Sequence, residues 1–530
     1  MMWFMRWVPF ALTHGHNPLV TTWVLYPNGS NLMWNTSILF PSAVLSPVTL
    51  VAGPVFAYNT LHFLAFTLSG WSAYFAIRRI TGTWLGAVVG GAVYAFSPFM
   101  LAHGLGHAQL YIAIGPPLIL LLMYEIVCGT RSPRSAGLGL GLVAAAQLLT
   151  GEELLAISGL AGFLGLVIIA ILRPRQAMEL GPRLVAGIAW SLLVFLPLAV
   201  VPLAVQFRGP QRLSGILHTN TGFFSNDLLS LVVPTILQQV DPSAFRDIVG
   251  KFTGNTAEQT GYLGVPLLIL LAIALVRPRR HAAAGWAALL ALLFAGLSLG
   301  PHLQLGGRVS HKPLPWMLFQ GLPLLGNTLS SRLMVITYLL SGVVVASGIG
   351  RAQTTRGPKR AILAGLVGVS LLLLAPTFDY PTGRHTVPAF FGHGGDVARI
   401  PEGDVVLVSP FVNETWHSML WQAVAGMRFK MSGGYLFIPS PRGADLFAPP
   451  SPLSDALSNA EAGRTVPVLD PGTRAGMGAD LQRWHIREII VGPIGHEADA
   501  VRFVTQLMRR RPELSGGIYI WRNVSASEVH

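Results

Sequence analysis

LLTGEELLAIS, residues 148–158, sets two adjacent carboxylates in a turn between two apolar runs, 135–150 and 154–172. Runs of this kind are close to the length a helix needs to cross about 30 Å of hydrocarbon. A carboxylate at the membrane boundary is costly unless it is paired, hydrated or put to use. The turn is therefore either a solvated hairpin or part of a site, and both readings require flanking membrane helices.

Working outward, the same rhythm recurs. Apolar runs at 54–77, 83–102, 111–128, 135–150, 154–172, 184–206, 260–276, 282–299, 331–350 and 361–377 predict ten spans. Hydrophobic residues make up 52% of the 530 positions, only 11% are charged, and mean hydropathy is +0.55, which excludes an ordinary soluble domain. Alternate connections carry the cations: Arg78 and Arg79; Arg131 and Arg134; Arg173, Arg175 and Arg183; Arg277, Arg279 and Arg280; Arg351, Arg356, Lys359 and Arg360. The connections 103–110 and 151–153 contain no Lys or Arg. By the positive-inside rule the basic connections are cytoplasmic, so the formal charge of +13 reflects topology and not a nucleic-acid partner. Segments 1–53, 103–110, 151–153, 207–259, 300–330 and everything after about 377 are then extracytoplasmic. One cysteine, Cys128, excludes an internal disulfide and a cysteine metal site.

Past residue 377 the apolar runs shorten to strand length. GDVVLVSP (403–410), REIIVGP (487–493) and GGIYIWRN (516–523) read as buried strands; DALSNAEAG, ADLQRWH and EADAVRFVTQLMRRR read as helices. The predicted fold class is a polytopic α-helical membrane protein of about ten spans with a C-terminal extracytoplasmic α/β domain. Its parts are 1–53, a first-loop segment with interfacial helices; 54–377, the helical bundle; and 378–530, the soluble domain.

The outward segments concentrate the candidate chemistry. Glu152 and Glu153 occupy the two-glutamate turn, Glu258 and Tyr262 stand at the outer mouth of another span, and Arg332 opens one from the same side. An arginine there either snorkels or clamps phosphate with its planar donor fork. His103 and His107, at i and i+4, share a helical face and with the glutamates suit a metal or acid/base cluster; each histidine taken alone reads as a polar helix end. His14, His16 and Asn17 stand in HGHNP, where i, i+2 spacing excludes a helical metal pair and leaves a loop site. The surrounding Trp23, Tyr26 and Trp34 suit an interfacial aromatic belt. In the tail, Trp416, His417, Trp421 and Gln422 either line a saccharide surface or pack a helix on strands.

HNPLVTTWVLYPNGSNLMWNTS, LSPVTLVAGPVFAYNTLHFLAFTLSGWSAYFAIRRITG, GAVYAFSPFMLAHGLGHAQL, EQTGYLGVPLL, SLGPHLQLGG and PLPWMLFQGLPLLGNTLSSRLMV, together spanning roughly 1–376, resemble bacterial GT-C-type integral-membrane glycosyltransferases. The resemblance implies a plasma-membrane enzyme, of inverting type, that moves a sugar from a polyprenyl-phosphate donor to an envelope glycan, lipid or protein acceptor, with a divalent cation, Mg or Mn, as cofactor. It also implies an acidic residue in the first outer loop. Residues 1–53 contain none, so the expectation is that the first helix and acidic motif lie upstream of this start. In the resemblance's terms Glu152, Glu153 and Glu258 are candidate bases or metal ligands, Arg332 and Tyr262 substrate-binding, and His14, His16, Asn17, His103 and His107 substrate-orienting or cation-binding. The alternatives are a carrier or flippase for a lipid-linked sugar and an inactive envelope scaffold.

Overall fold

Helices occupy all ten positions at which the apolar runs predict them. The computed structural model describes residues 1–214, 221–276, 282–322, 325–383, 386–411, 415–441, 443–447 and 449–529. Arg277, Arg279 and Arg280 lie outside the described residues. Six segments are long and apolar enough to cross a membrane: Ser46–Thr81, Trp84–Gly104, Ala108–Cys128, Glu152–Leu172, Pro174–Arg208 and Ser330–Thr354. The helices Pro133–Leu148, Val265–Val276, Ala282–Ser298 and Pro358–Leu374 are shorter. The chain divides into two compact units, Met1–Thr60 with Val201–Gly215 and Gly383–His530, and Leu61–Val200 with Ile216–Thr382.

The second unit is a helical bundle sorted by burial. Helix Met334–Thr354 is buried along nearly its whole length and packs against Trp84–Ala95 and Ala282–Ser298. Residues of Glu152–Leu172 and Pro174–Arg208 instead turn large apolar groups outward, among them Phe163, Val185 and Leu193. Apolar all-round helices with one packed side and one exposed side are what a lipid solvent selects. Small residues let the central helices meet closely: a Cβ added to Gly90 would lie 2.5 Å from the Gly342 carbonyl oxygen, and one on Gly342 would lie 2.7 Å from that of Gly90. Such small-residue contacts are a main source of helix association in membranes.

The two ends of the bundle differ in charge. At one end Arg79 Nε and Arg131 Nη1 hold the buried Glu125 carboxylate at 3.2 and 3.4 Å. Arg134 lies over the Trp190 ring and Arg173 over Trp286. The opposite helix ends carry the acidic and histidine residues described below.

The first unit contains a five-stranded sheet in the order Glu513–Ser515, Ile518–Trp521, Ile486–Val491, Val405–Ser409, Lys430–Met431. The first two pairings are antiparallel and the last two parallel. Three strands coincide with the apolar runs read from sequence, and helices Pro452–Glu461, Pro471–Arg483 and Glu497–Met508 cover a core that includes Leu457, Trp484, Ile489 and Phe503. The amino-terminal segment joins the edge of this sheet. Met431 N donates to Trp23 O at 2.8 Å, Tyr26 N to Met431 O at 3.0 Å and Leu25 N to Gly433 O at 3.0 Å.

This pairing corrects the aromatic-belt reading for Trp23, whereas Tyr26 and Trp34 are half-buried. Trp3, Trp7 and Trp23 are buried, and their indoles donate to Gln422 Oε1, the Pro18 carbonyl and the Met427 carbonyl. A belt residue needs a ring at the headgroup level, whereas these rings are consumed by packing within the unit. In the tail, Trp421 and Gln422 are likewise buried and fix their helix, with Trp421 Nε1 donating to Thr386 O; Trp416 is exposed.

Overpacking the central contact tests this arrangement. Gly342→Leu is expected to cost about 1–3 kcal/mol or more, seen as an earlier thermal melt in detergent. Gly365→Ala, inside helix Pro358–Leu374 where an added Cβ meets nothing within 4 Å, is expected to leave the melt unchanged or raise it, by up to about 1 kcal/mol.

Candidate active site

Four chain segments deliver polar side chains to one end of the bundle in the second unit. Glu152 and Glu153 open helix Glu152–Leu172, where acidic side chains complement the helix dipole. Glu258 ends the short turn Thr256–Glu258, Arg332 sits in the turn Ser330–Leu333 leading into Met334–Thr354, and His103 lies in the last turn of Pro98–Gly104. His107 N donates to His103 O at 2.8 Å, so the helical turn carries the second imidazole onto the same face.

Arg332 is the hub. Its Nη2 donates to Glu258 Oε1 at 2.6 Å, and its Nε lies 3.1 Å from Oε1 and 3.2 Å from Oε2 of the same carboxylate. Its Nη1 donates to Glu153 Oε2. Each carboxylate is held again by a neighbour of the arginine: Ser331 Oγ donates to Glu258 Oε2 at 2.9 Å, and Leu329 N to Glu153 Oε1 at 3.1 Å. A guanidinium with donors in a fixed fork suits this bidentate grip. All three guanidinium nitrogens therefore face carboxylates.

The neighbouring loop is pinned from the central helix. Tyr338 Oη lies 2.8 Å from Thr260 O and 2.6 Å from Tyr262 O, and Thr260 Oγ1 donates to Ser331 O at 2.7 Å. Tyr262 is buried beside the cluster's loop. Burial also pushes the Glu258 carboxyl up, but Arg332 and then the two histidines outweigh it and bring it to about 2. His107 is held below the usual imidazole range by burial first and by Arg332 second, so it is neutral at pH 7.

The imidazoles complete the cluster. His103 Nδ1 and His107 Nδ1 are 3.4 Å apart, and donor atoms of His103, His107 and Glu258 lie within 4.8 Å of one another. Two imidazoles and one carboxylate are a donor set suited to a divalent transition metal and less to Mg, which prefers oxygen ligands.

The structure thus brings together Glu153, Glu258, Arg332, His103 and His107, with Tyr262 in the adjoining loop; Glu152 shares the helix start. His14, His16 and Asn17 are exposed residues of the first unit. His14 Nδ1 stands 3.0 Å from Phe10 O and its Nε2 is 3.9 Å from Glu402; Asn17 Oδ1 accepts from Leu19 N. His16 and Asn17 line a pocket of about 190 Å³ together with Trp7, Thr21 and Trp23. Sequence reading missed Ser331 and Tyr338. Both are polar residues at the start of or inside an apolar run, and that misplacement was the available signal.

A family model described as a domain of unknown function, DUF6311, matches residues 3–378. The chain belongs to this family. No curated protein matches its sequence significantly. Among solved structures, the arabinofuranosyltransferase AftD from mycobacteria is similar at a TM-score of 0.57 and 15% identity, over 98% of this chain and 38% of that one. The DUF6311 protein thus spans well under half the length of that relative. ArnT from Cupriavidus metallidurans bound to undecaprenyl phosphate is similar at a TM-score of 0.48 and 12% identity, over 100% of this chain and 94% of that one. The chain shares the fold of that arabinofuranosyltransferase.

The Glu258 carboxyl gives a signed pH test. Its folded-state pKa lies below the ordinary value near 4.5, so its contribution to stability is complete above about 4.5 and is lost as pH falls toward about 2. Glu258→Gln is expected to destabilise the protein at pH 7 by about 3–5 kcal/mol, the cost of breaking a buried pair. The gap between parent and variant should narrow at pH 3, as read by thermal unfolding in detergent at both pH values.

Proposed function

We propose that this DUF6311 protein is an integral-membrane glycosyltransferase that uses a polyprenyl-phosphate-linked sugar and an extracytoplasmic acceptor. The observation that carries the reading is a carboxylate and arginine cluster at the helix ends of a GT-C fold. With the basic helix ends cytoplasmic, this cluster faces outward. The spans are nearly free of isolated charge, and the ionisable groups gather at the helix ends, which favours an enzyme over a carrier with a mid-membrane site.

In this reading Glu153 is the base. Its side chain is 17% exposed against 3% for Glu258, so it is the more approachable carboxylate. It accepts the proton of the acceptor hydroxyl as that oxygen forms a bond to the anomeric carbon. The carbon's bond to the donor phosphate breaks, the electron pair leaves with the polyprenyl phosphate, and the configuration inverts. Arg332, already committed to two carboxylates, orders Glu153 and Glu258 and does not serve as the free phosphate clamp that its position suggests. Tyr262 and Tyr338 hold the loop that presents Glu258. A divalent cation bound beside Glu258 would supply positive charge toward the leaving phosphate.

The test is reconstitution of the full chain in liposomes with a panel of radiolabelled polyprenyl-phosphate sugars and envelope-derived acceptors. Transfer is expected, and Glu153→Gln should lower its rate by about 10²–10⁴-fold. Movement of the lipid-linked sugar across the bilayer without transfer would establish the carrier instead. Equal rates for parent and Glu153→Gln would remove this residue as the base.

A further inference from the structure

The arginine end of the bundle holds more positive charge than its carboxylates use. Four guanidiniums of the second unit gather around the turn that follows Cys128: Arg79 from helix Ser46–Thr81, Arg131 from the turn itself, Arg134 from the start of Pro133–Leu148 and Arg183 from Pro174–Arg208. Glu125 takes two of them, Arg79 on Oε1 and Arg131 on Oε2. Arg134 and Arg183 pair with no carboxylate among the described residues, and Glu179, one turn before Arg183, forms no ion pair with it. Even with Glu179 counted, four positive charges stand against two negative ones.

Packing fixes this surplus in place. A Cβ added to Gly129, whose φ is +67°, would lie 2.3 Å from Arg183 Nη1, so the guanidinium fills the space that the missing side chain leaves. Arg183 and Trp190 are seven residues apart and share one face of their helix. The Arg134 guanidinium carbon stands 5.1 Å from the centre of the half-buried Trp190 ring. A Cβ on Gly137 would lie 2.3 Å from the Gly187 carbonyl oxygen, so the two helices are in backbone contact beside the cations. Like charges held this way repel, and an anion that they share removes the cost.

The anion available at this depth is a phospholipid headgroup. On the other face of the helix that carries Arg183, Val185, Ile188 and Leu192 are exposed, so lipid covers that helix within a turn of the cation. The positive-inside rule puts this end in the cytoplasmic leaflet. We propose that the turn at Gly129 binds one anionic phospholipid of that leaflet, with Arg183 and Arg134 on the phosphate, Arg131 alongside and Trp190 at headgroup level. The guanidinium fork matches phosphate oxygens in pairs, and basic pockets between membrane helices on this side suit such headgroups. The site is independent of the glycosyltransferase reading, whose residues lie at the opposite helix ends.

The full chain, purified in a mild detergent and stripped of lipid, is titrated with phosphatidylglycerol or phosphatidylcholine of the same acyl chains and read by native mass spectrometry. One phosphatidylglycerol per chain is expected to be retained in preference to phosphatidylcholine. Arg183→Gln should lower phosphatidylglycerol affinity by about fivefold, the effect of one cation at a charged membrane surface. Arg183→Lys should keep most of the affinity because the charge remains. Arg183 is exposed, so both variants are expected to match the parent in circular dichroism and melting. Arg356→Gln removes the same charge from another exposed position in the basic connections and should leave affinity unchanged. Equal retention of the two lipids, unchanged affinity in Arg183→Gln, or an equal loss in Arg356→Gln overturns the site. Inorganic phosphate that displaces the lipid and raises the melting temperature of the lipid-free parent as phosphatidylglycerol does would make the turn a soluble-phosphate site and overturn the lipid assignment.

Discussion

Arg332 between Glu153 and Glu258 is the interaction on which the acidic end of the bundle depends. Three segments far apart in sequence are joined there, and none of the charges is well solvated. A guanidinium taken from water without partners is penalised by several kcal/mol, and so is each carboxylate. The arrangement is stable only if all three are present, which makes the turn after residue 150, the loop before residue 265 and the start of the central helix mutually dependent. Ser331, Leu329 N and Tyr338 extend the same logic by satisfying remaining acceptors from residues adjacent in sequence to the arginine or one to two turns along its helix.

The bundle permits this because its middle is simple. Glycines at 90 and 342 bring two helices into backbone contact, and the central helix is covered on its sides by apolar neighbours, so polar demands are moved to the ends. One end gathers arginines around Glu125 and the rings of Trp190 and Trp286; the other gathers carboxylates and imidazoles around one arginine. The separation of charge follows from the same hydrophobic cost that excludes charge from the interior of the spans.

The first unit is organised by backbone pairing and indole donors. Its amino-terminal segment completes the edge of a sheet whose other strands come from the last third of the chain, and Gln422 bonds both Trp3 and the Trp23 carbonyl. An edge strand left open invites pairing with other chains, and residues 23–26 occupy that edge here. The pocket lined by His16 and Asn17 belongs to this unit.

By itself, the sequence determined the helical class, the positions of the ten apolar segments, three strands and three helices of the tail, and the i, i+4 relation of His103 and His107. Each of these is a local property: apolar run length, period, and the distribution of arginine among connections. Glu153, Glu258 and Arg332 were legible as candidates because charge beside an apolar run is expensive wherever it occurs. Their mutual pairing was not, because it joins residues 74 to 179 positions apart and depends on how the helices pack. For the same reason the sequence left Arg332 open between snorkelling and a phosphate clamp and read Trp23 as part of a belt, since an isolated side chain carries no record of the partner that will occupy it. Only the tertiary structure decided that all three guanidinium nitrogens of Arg332 face carboxylates, that the Trp23 indole is buried, and that the first and last parts of the chain share a sheet.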